Sequence, residues 1–146
     1  MDMKRLAIGT IVGGVVVYVV GYLMFEVMLA QFYAANVGSA TGVVREPTLE
    51  WPIALGAASL ALFITLCIAN RAEAQTIGGG LTAGASIGFL VWFTTDFTLY
   101  GFTNMNNLTL TILDPLFSAI PAGIAGAVIA AVLAKIPKGA GVHSAA

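Results

Sequence analysis

Charge is what this sequence has least of. Only 9 % of its 146 residues are Asp, Glu, Lys or Arg, where a soluble domain carries roughly 25 %. So small a polar complement cannot cover a domain against water, which excludes a water-soluble monomer. Six basic and seven acidic residues give a net charge of −1, so the basic footprint of a nucleic-acid binder is missing. There is one cysteine, Cys67, and one histidine, His143. The single cysteine excludes an internal disulfide and a thiolate zinc site. The lone histidine lies beyond the last apolar run and removes the usual catalytic triads. No metal-ligand spacing or cofactor motif is present, so no metal or cofactor is assigned. What is abundant is apolar: 59 % of the residues, with a mean hydropathy of +0.96, which also excludes disorder.

The apolar residues fall in four stretches: Leu6 to about Tyr33, Trp51 to Ala69, Ile77 to about Phe102, and about Leu108 to Ile136. About 20 helical residues cross a ~30 Å hydrocarbon core, so each stretch is long enough. None alternates in the short segments that a transmembrane strand requires. The expected fold is all-α, an integral membrane four-helix bundle formed by residues 1–136, with 137–146 as a short flexible cytoplasmic tail. The first run is too long for a signal-peptide core and lacks a small-x-small cleavage site, so it reads as a retained helix.

Orientation follows from the basic residues. Lys4, Arg5, Arg71, Lys135 and Lys138 fall on one side of four spans, and Arg45 alone on the other. The positive-inside rule then puts both termini in the cytoplasm. Phe32, Tyr33, Trp51, Tyr100 and Phe102 gather at the outer boundary, where amphipathic rings prefer to lie. The two outer connections are Ala34 to Glu50 and the asparagine cluster Phe102 to Asn107. Asn107-Leu108-Thr109 forms a glycosylation sequon too close to the membrane to carry weight. Cys67, among apolar neighbours on the inner half of the second span, reads as an inert thiol.

Seventeen glycines point to close helix approach. Gly9 and Gly13 form one GxxxG step, and Gly80, Gly84 and Gly88 form two more. Such spacing serves either packing within one bundle or the seam of an oligomer.

Three acids interrupt the apolar runs: Glu26, Asp96 and Asp114. Counted at 1.5 Å per residue, all three lie at one level just inside the outer face. Tyr22 and Tyr33 share a helical face with Glu26. Thr95 flanks Asp96, and Tyr100 follows one turn later. Carboxylates at such depth usually face a bundle interior or a cavity. The candidate binding set is therefore Glu26, Asp96, Asp114, Tyr22, Tyr33, Thr95 and Tyr100. An Asp before Pro115 also suits a helix N-cap, so Asp114 has two readings. Oxygen ligands of this kind suit a cation, an amine or a proton.

The segments Phe25-Glu26-Val27-Met28-Leu29-Ala30-Gln31-Phe32-Tyr33, Phe93-Thr94-Thr95-Asp96-Phe97-Thr98-Leu99 and Leu110-Thr111-Ile112-Leu113-Asp114 carry a resemblance. The chain resembles small four-helix bacterial membrane proteins known as domains of unknown function of the 2177 and 1761 types. Thr95 stands where that pattern has Tyr, and Leu116-Phe117-Ser118 where it has an aromatic-Gly pair. The resemblance implies that Glu26, Asp96 and Asp114 act as one set, in a multi-pass protein of the bacterial inner membrane. It brings no activity.

Two functions fit these residues. One is an outer-facing, carboxylate-lined pocket that binds or transports a cation, an amine or a lipid headgroup. The other is an accessory subunit docking on a larger membrane complex, or a homo-oligomer, through its glycine faces. A membrane enzyme using two carboxylates as acid and base is a weaker third option without a nucleophile. The expected partners are the lipid bilayer and such a complex, and no nucleic acid.

Overall fold

The computed structural model describes residues 2–69 and 71–137. The chain runs through helix α1 (Met3–Tyr22), a π-helical turn (Leu23–Met28), a short helix α2 (Ala30–Ala35), α3 (Glu50–Ala69), a 3-10 turn (Glu73–Gln75), α4 (Ile77–Phe102) and α5 (Leu108–Ala134). Four segments are long and apolar enough to cross a membrane: Met3–Met28, Glu50–Ala69, Ile77–Phe102 and Leu108–Ala134. The expected tail beyond Pro137, with Lys138 and His143, lies outside the described residues.

The bundle is built from two close-packed helix pairs, α1 with α3 and α4 with α5, and α5 also touches α1 and α3. Glycine decides both pairings. A Cβ on Gly9 would stand 2.5 Å from the Thr65 side chain of α3, and one on Gly13 2.5 Å from Ile129 of α5, which α1 also touches. Across the second pair, a Cβ on Gly80, Gly84 or Gly88 would stand 2.3, 2.2 and 2.5 Å from atoms of Gly126, Ala122 and Ala122. Real Cβ atoms are not found so near. All five glycines of the expected seam thus pack inside this chain, against its own helices.

The interior is small-sided, with Ala57, Ala61, Ala122, Ala125 and Ala130 among Ile64, Ile68, Ile129 and Leu133. The large apolar side chains point outward instead. Ile11 is 67 % and Val15 59 % exposed, and Val19, Leu55, Leu62 and Leu90 are exposed as well. Helices that are apolar all round need an apolar surround, and lipid supplies it.

Each end of the bundle is tied. Arg5, only 4 % exposed, donates from its guanidinium to the carbonyls of Leu133 (2.8 Å) and Ile136 and to Oε1 of Gln75 (3.0 Å). It caps the carboxyl end of α5, where the helix dipole favours a cation. At the other end, Val37 and Asn106 form an antiparallel bridge. Gly38 N–H donates to Met105 O at 2.7 Å and Ala40 N–H to Asn104 O at 3.0 Å. A Cβ on Gly38 would stand 2.0 Å from Asn104 O, so this crossing requires glycine.

Candidate functional site

The first span is not one uniform helix. Leu29 N–H bonds to Met24 O, five residues back, at 2.8 Å. A π turn inserts one residue into the register and rotates everything after it. Tyr22, Glu26 and Tyr33 therefore do not share a face. Tyr22 and Glu26 stay exposed on one side, while Tyr33 turns inward. The expectation of one common face is corrected by this turn, which composition does not announce.

After the turn, α2 docks on α5. The Phe32 ring meets Phe117 edge-on at 5.5 Å, and Phe25 meets Tyr33 edge-on at 5.6 Å. The Tyr33 hydroxyl then donates to Oδ1 of Asp114. Asn36 fixes the exit of α2, donating from Nδ2 to Phe32 O at 2.9 Å and accepting from Asn107 Nδ2 at 3.1 Å.

Asn107 is the N-cap of α5, its side chain accepting from Leu110 N–H at 2.9 Å. This overturns the capping reading of Asp114. The helix begins at Leu108, and Asp114 with Pro115 lies inside it. The Asn107 sequon amide is itself occupied by Asn36.

Asp114 is 7 % and Asp96 3 % exposed, buried on α5 and α4 respectively, and the two carboxyl groups lie close enough to act on each other electrostatically. The Ser118 hydroxyl donates to Oδ2 of Asp114 at 3.4 Å. Oδ2 of Asp96 is buried and has no hydrogen-bond partner. The threonines beside it give no help. Thr94, Thr95 and Thr98 are exposed, and Thr95 Oγ1 donates to Val91 O of its own helix at 2.9 Å. Tyr100 is exposed too. Thr95 and Tyr100 thus stand outside the cluster that their spacing suggested, because one buried side chain takes the α4 face toward α5.

Glu26 takes a different place. It is exposed, with no hydrogen-bond or ion-pair partner among the described residues. It lines a cleft of about 710 Å³ between α1, α3, α4 and α5. The cleft wall is mostly apolar and aromatic, with Tyr18, Tyr22, Phe25, Phe63 and Trp92, and Ser118 and Pro121 belong to it. Its charged residues are Glu26 and Glu50. Glu50, which begins α3, accepts from the Tyr18 hydroxyl at 2.6 Å. The structure therefore brings Asp96, Asp114 and Tyr33 together, and places Glu26 and Tyr22 in a neighbouring cleft with Ser118 between the two.

Sequence reasoning missed Glu50, Tyr18, Trp92 and Ser118. Only Ser118, four residues after Asp114, had a spacing that could have revealed it. Glu50 stands at the end of the outer connection, where a charged side chain is ordinarily solvated. No group of three or more His, Cys, Asp or Glu able to hold a metal occurs among the described residues. No family model matches the chain, and neither a curated protein nor a solved structure matches it.

Proposed function

We propose that this is a multi-pass membrane protein that binds an amphiphilic cation, such as a lipophilic amine, in the cleft between α1, α3, α4 and α5. The cleft carries the reading. Its volume of about 710 Å³ falls within the ~300–1,000 Å³ of small-molecule sites. Its only charges are the carboxylates Glu26 and Glu50, and the described residues lining it include no basic one. Carboxylates beside Tyr22 and Trp92 favour a cationic head by charge and by the ring faces. The apolar remainder suits a hydrocarbon body. Neutral and anionic ligands gain neither term.

The same proposal puts the protein in the bacterial inner membrane with both termini cytoplasmic. Four of the basic residues, Lys4, Arg5, Arg71 and Lys135, belong to the end of the bundle that holds the N-terminus, and Arg45 to the opposite connection, which supports that orientation. The resemblance to bacterial four-helix proteins supports the choice of membrane. An accessory role through the glycine faces is the lesser reading, because those faces are filled from within the chain.

Tetraphenylphosphonium tests the proposal against tetraphenylborate, an anion of the same shape. The cation quenches Trp92 fluorescence in a Trp51→Phe background, and the double variant E26Q/E50Q weakens its binding at least about tenfold. Equal binding of the two ions, or a double variant that binds as wild type does, refutes it.

A further inference from the structure

The Asp96–Asp114 cluster plays no part in gripping an amine and poses its own problem. Two carboxyl groups lie buried in one helix pair, Asp96 on α4 and Asp114 on α5, near enough to feel each other's charge. Two adjacent buried carboxylates repel, and each loses hydration without a counter-charge. The groups facing them carry no positive charge. From α2 comes the Tyr33 hydroxyl, and from α5 the Ser118 hydroxyl. On α4 the neighbouring threonines are exposed. On the π turn and α3, the charged groups lining the cleft are Glu26 and Glu50, both acidic. Arg5 is engaged at the far end of α5.

The hydrogen bonds are divided unequally between the two acids. Asp114 accepts on both oxygens, from Tyr33 and from Ser118, which suits an anion. Asp96 keeps one buried oxygen with no donor. Left on an anion, that oxygen would be an unsolvated charge. In a neutral carboxylic acid that oxygen carries no full charge, which protein interiors tolerate far better. The acid's O–H then becomes a third donor to Asp114.

We propose that Asp96 and Asp114 form an intramembrane proton site, holding one exchangeable proton on Asp96 that is donated in a hydrogen bond to the Asp114 carboxylate. The pair carries one negative charge in total. Ser118, which bonds Asp114 and also lines the cleft, sets that charge directly behind the cleft wall. The site does not depend on what the cleft binds.

Infrared spectroscopy of the full chain in lipid bilayers at neutral pH tests it. The wild type shows the C=O stretch of a protonated carboxyl, and the band shifts in D₂O because the proton exchanges. Asp96→Asn removes the band. Tyr33→Phe keeps it at a shifted frequency, since Asp114 loses a donor and draws more strongly on the Asp96 O–H. Absence of the band from the wild type overturns the proposal, as does a band unchanged in Asp96→Asn. Should Asp96→Asn not fold, a band that Tyr33→Phe leaves unmoved overturns it equally.

Discussion

Replacing Gly84 by alanine adds one methyl group where the α4 and α5 backbones approach closely. The new Cβ would stand 2.2 Å from Ala122 O and 3.1 Å from Gly126 Cα. Both are backbone atoms, which cannot swing aside as a side chain can. Reaching even 3.0 Å, below which real Cβ atoms essentially never occur, requires the helices to part by about 0.8 Å there. A radial gap of that size forfeits roughly a quarter to a half of each contact's dispersion energy. Overpacking of this kind typically costs about 1–3 kcal/mol, and a backbone clash belongs at the upper end. We expect a loss of ~2–3 kcal/mol for Gly84→Ala, a shift of roughly 30- to 150-fold in the unfolding equilibrium. Gly56→Ala is the control. It also sits in a helix, but no atom lies within 4 Å of its new Cβ, so it holds stability within about 0.5 kcal/mol or gains from helix propensity. Reversible unfolding of both variants in mixed micelles, followed by circular dichroism, reads the difference. Equal stability of the two variants refutes the packing argument. A changed oligomeric state at unchanged stability would return Gly84 to an intermolecular seam.

Arg5→Ala removes three hydrogen bonds and the cation at the end of α5, and lowers stability by ~2–4 kcal/mol in the same assay. Arg5→Lys recovers less than half of this, since an ammonium lacks the guanidinium fork. Tyr33→Phe strips a donor from the buried Asp114 and costs ~1.5–3 kcal/mol, whereas Tyr18→Phe, whose hydroxyl meets Glu50 at an exposed position, leaves the melting midpoint in place. Asn107→Ala loses the α5 cap and the bond to Asn36, costing ~1 kcal/mol or more. In a glycosylating host, gel mobility shows Asn107 unmodified, because its amide is engaged.

The helical class and the four membrane-crossing segments were legible in the chain because they depend on composition summed over many residues. Lipid rewards continuous apolar runs of a set length, and Leu6–Tyr33 or Ile77–Phe102 meet that requirement whatever they pack against. Glycine spacing announced close approach, and the acids announced polar business inside an apolar bundle. What the spacing could not choose was the partner. Gly80, Gly84 and Gly88 suit a second copy of the chain as well as α5, and only the packed structure shows Ala122 and Gly126 in their way. Nor could counting residues place the acids. A single extra residue in the π turn at Leu23–Met28 turns Tyr33 toward Asp114 and leaves Glu26 in the cleft, because one inserted residue rotates all that follow by about a third of a turn. Asp114 before Pro115 looked like a helix start until Asn107, seven residues earlier, took the cap. Apolar runs determine which segments enter the membrane, since that is a transfer energy added residue by residue. Which side chains meet inside is decided by register and by contact across helices, and those exist only once the bundle has formed.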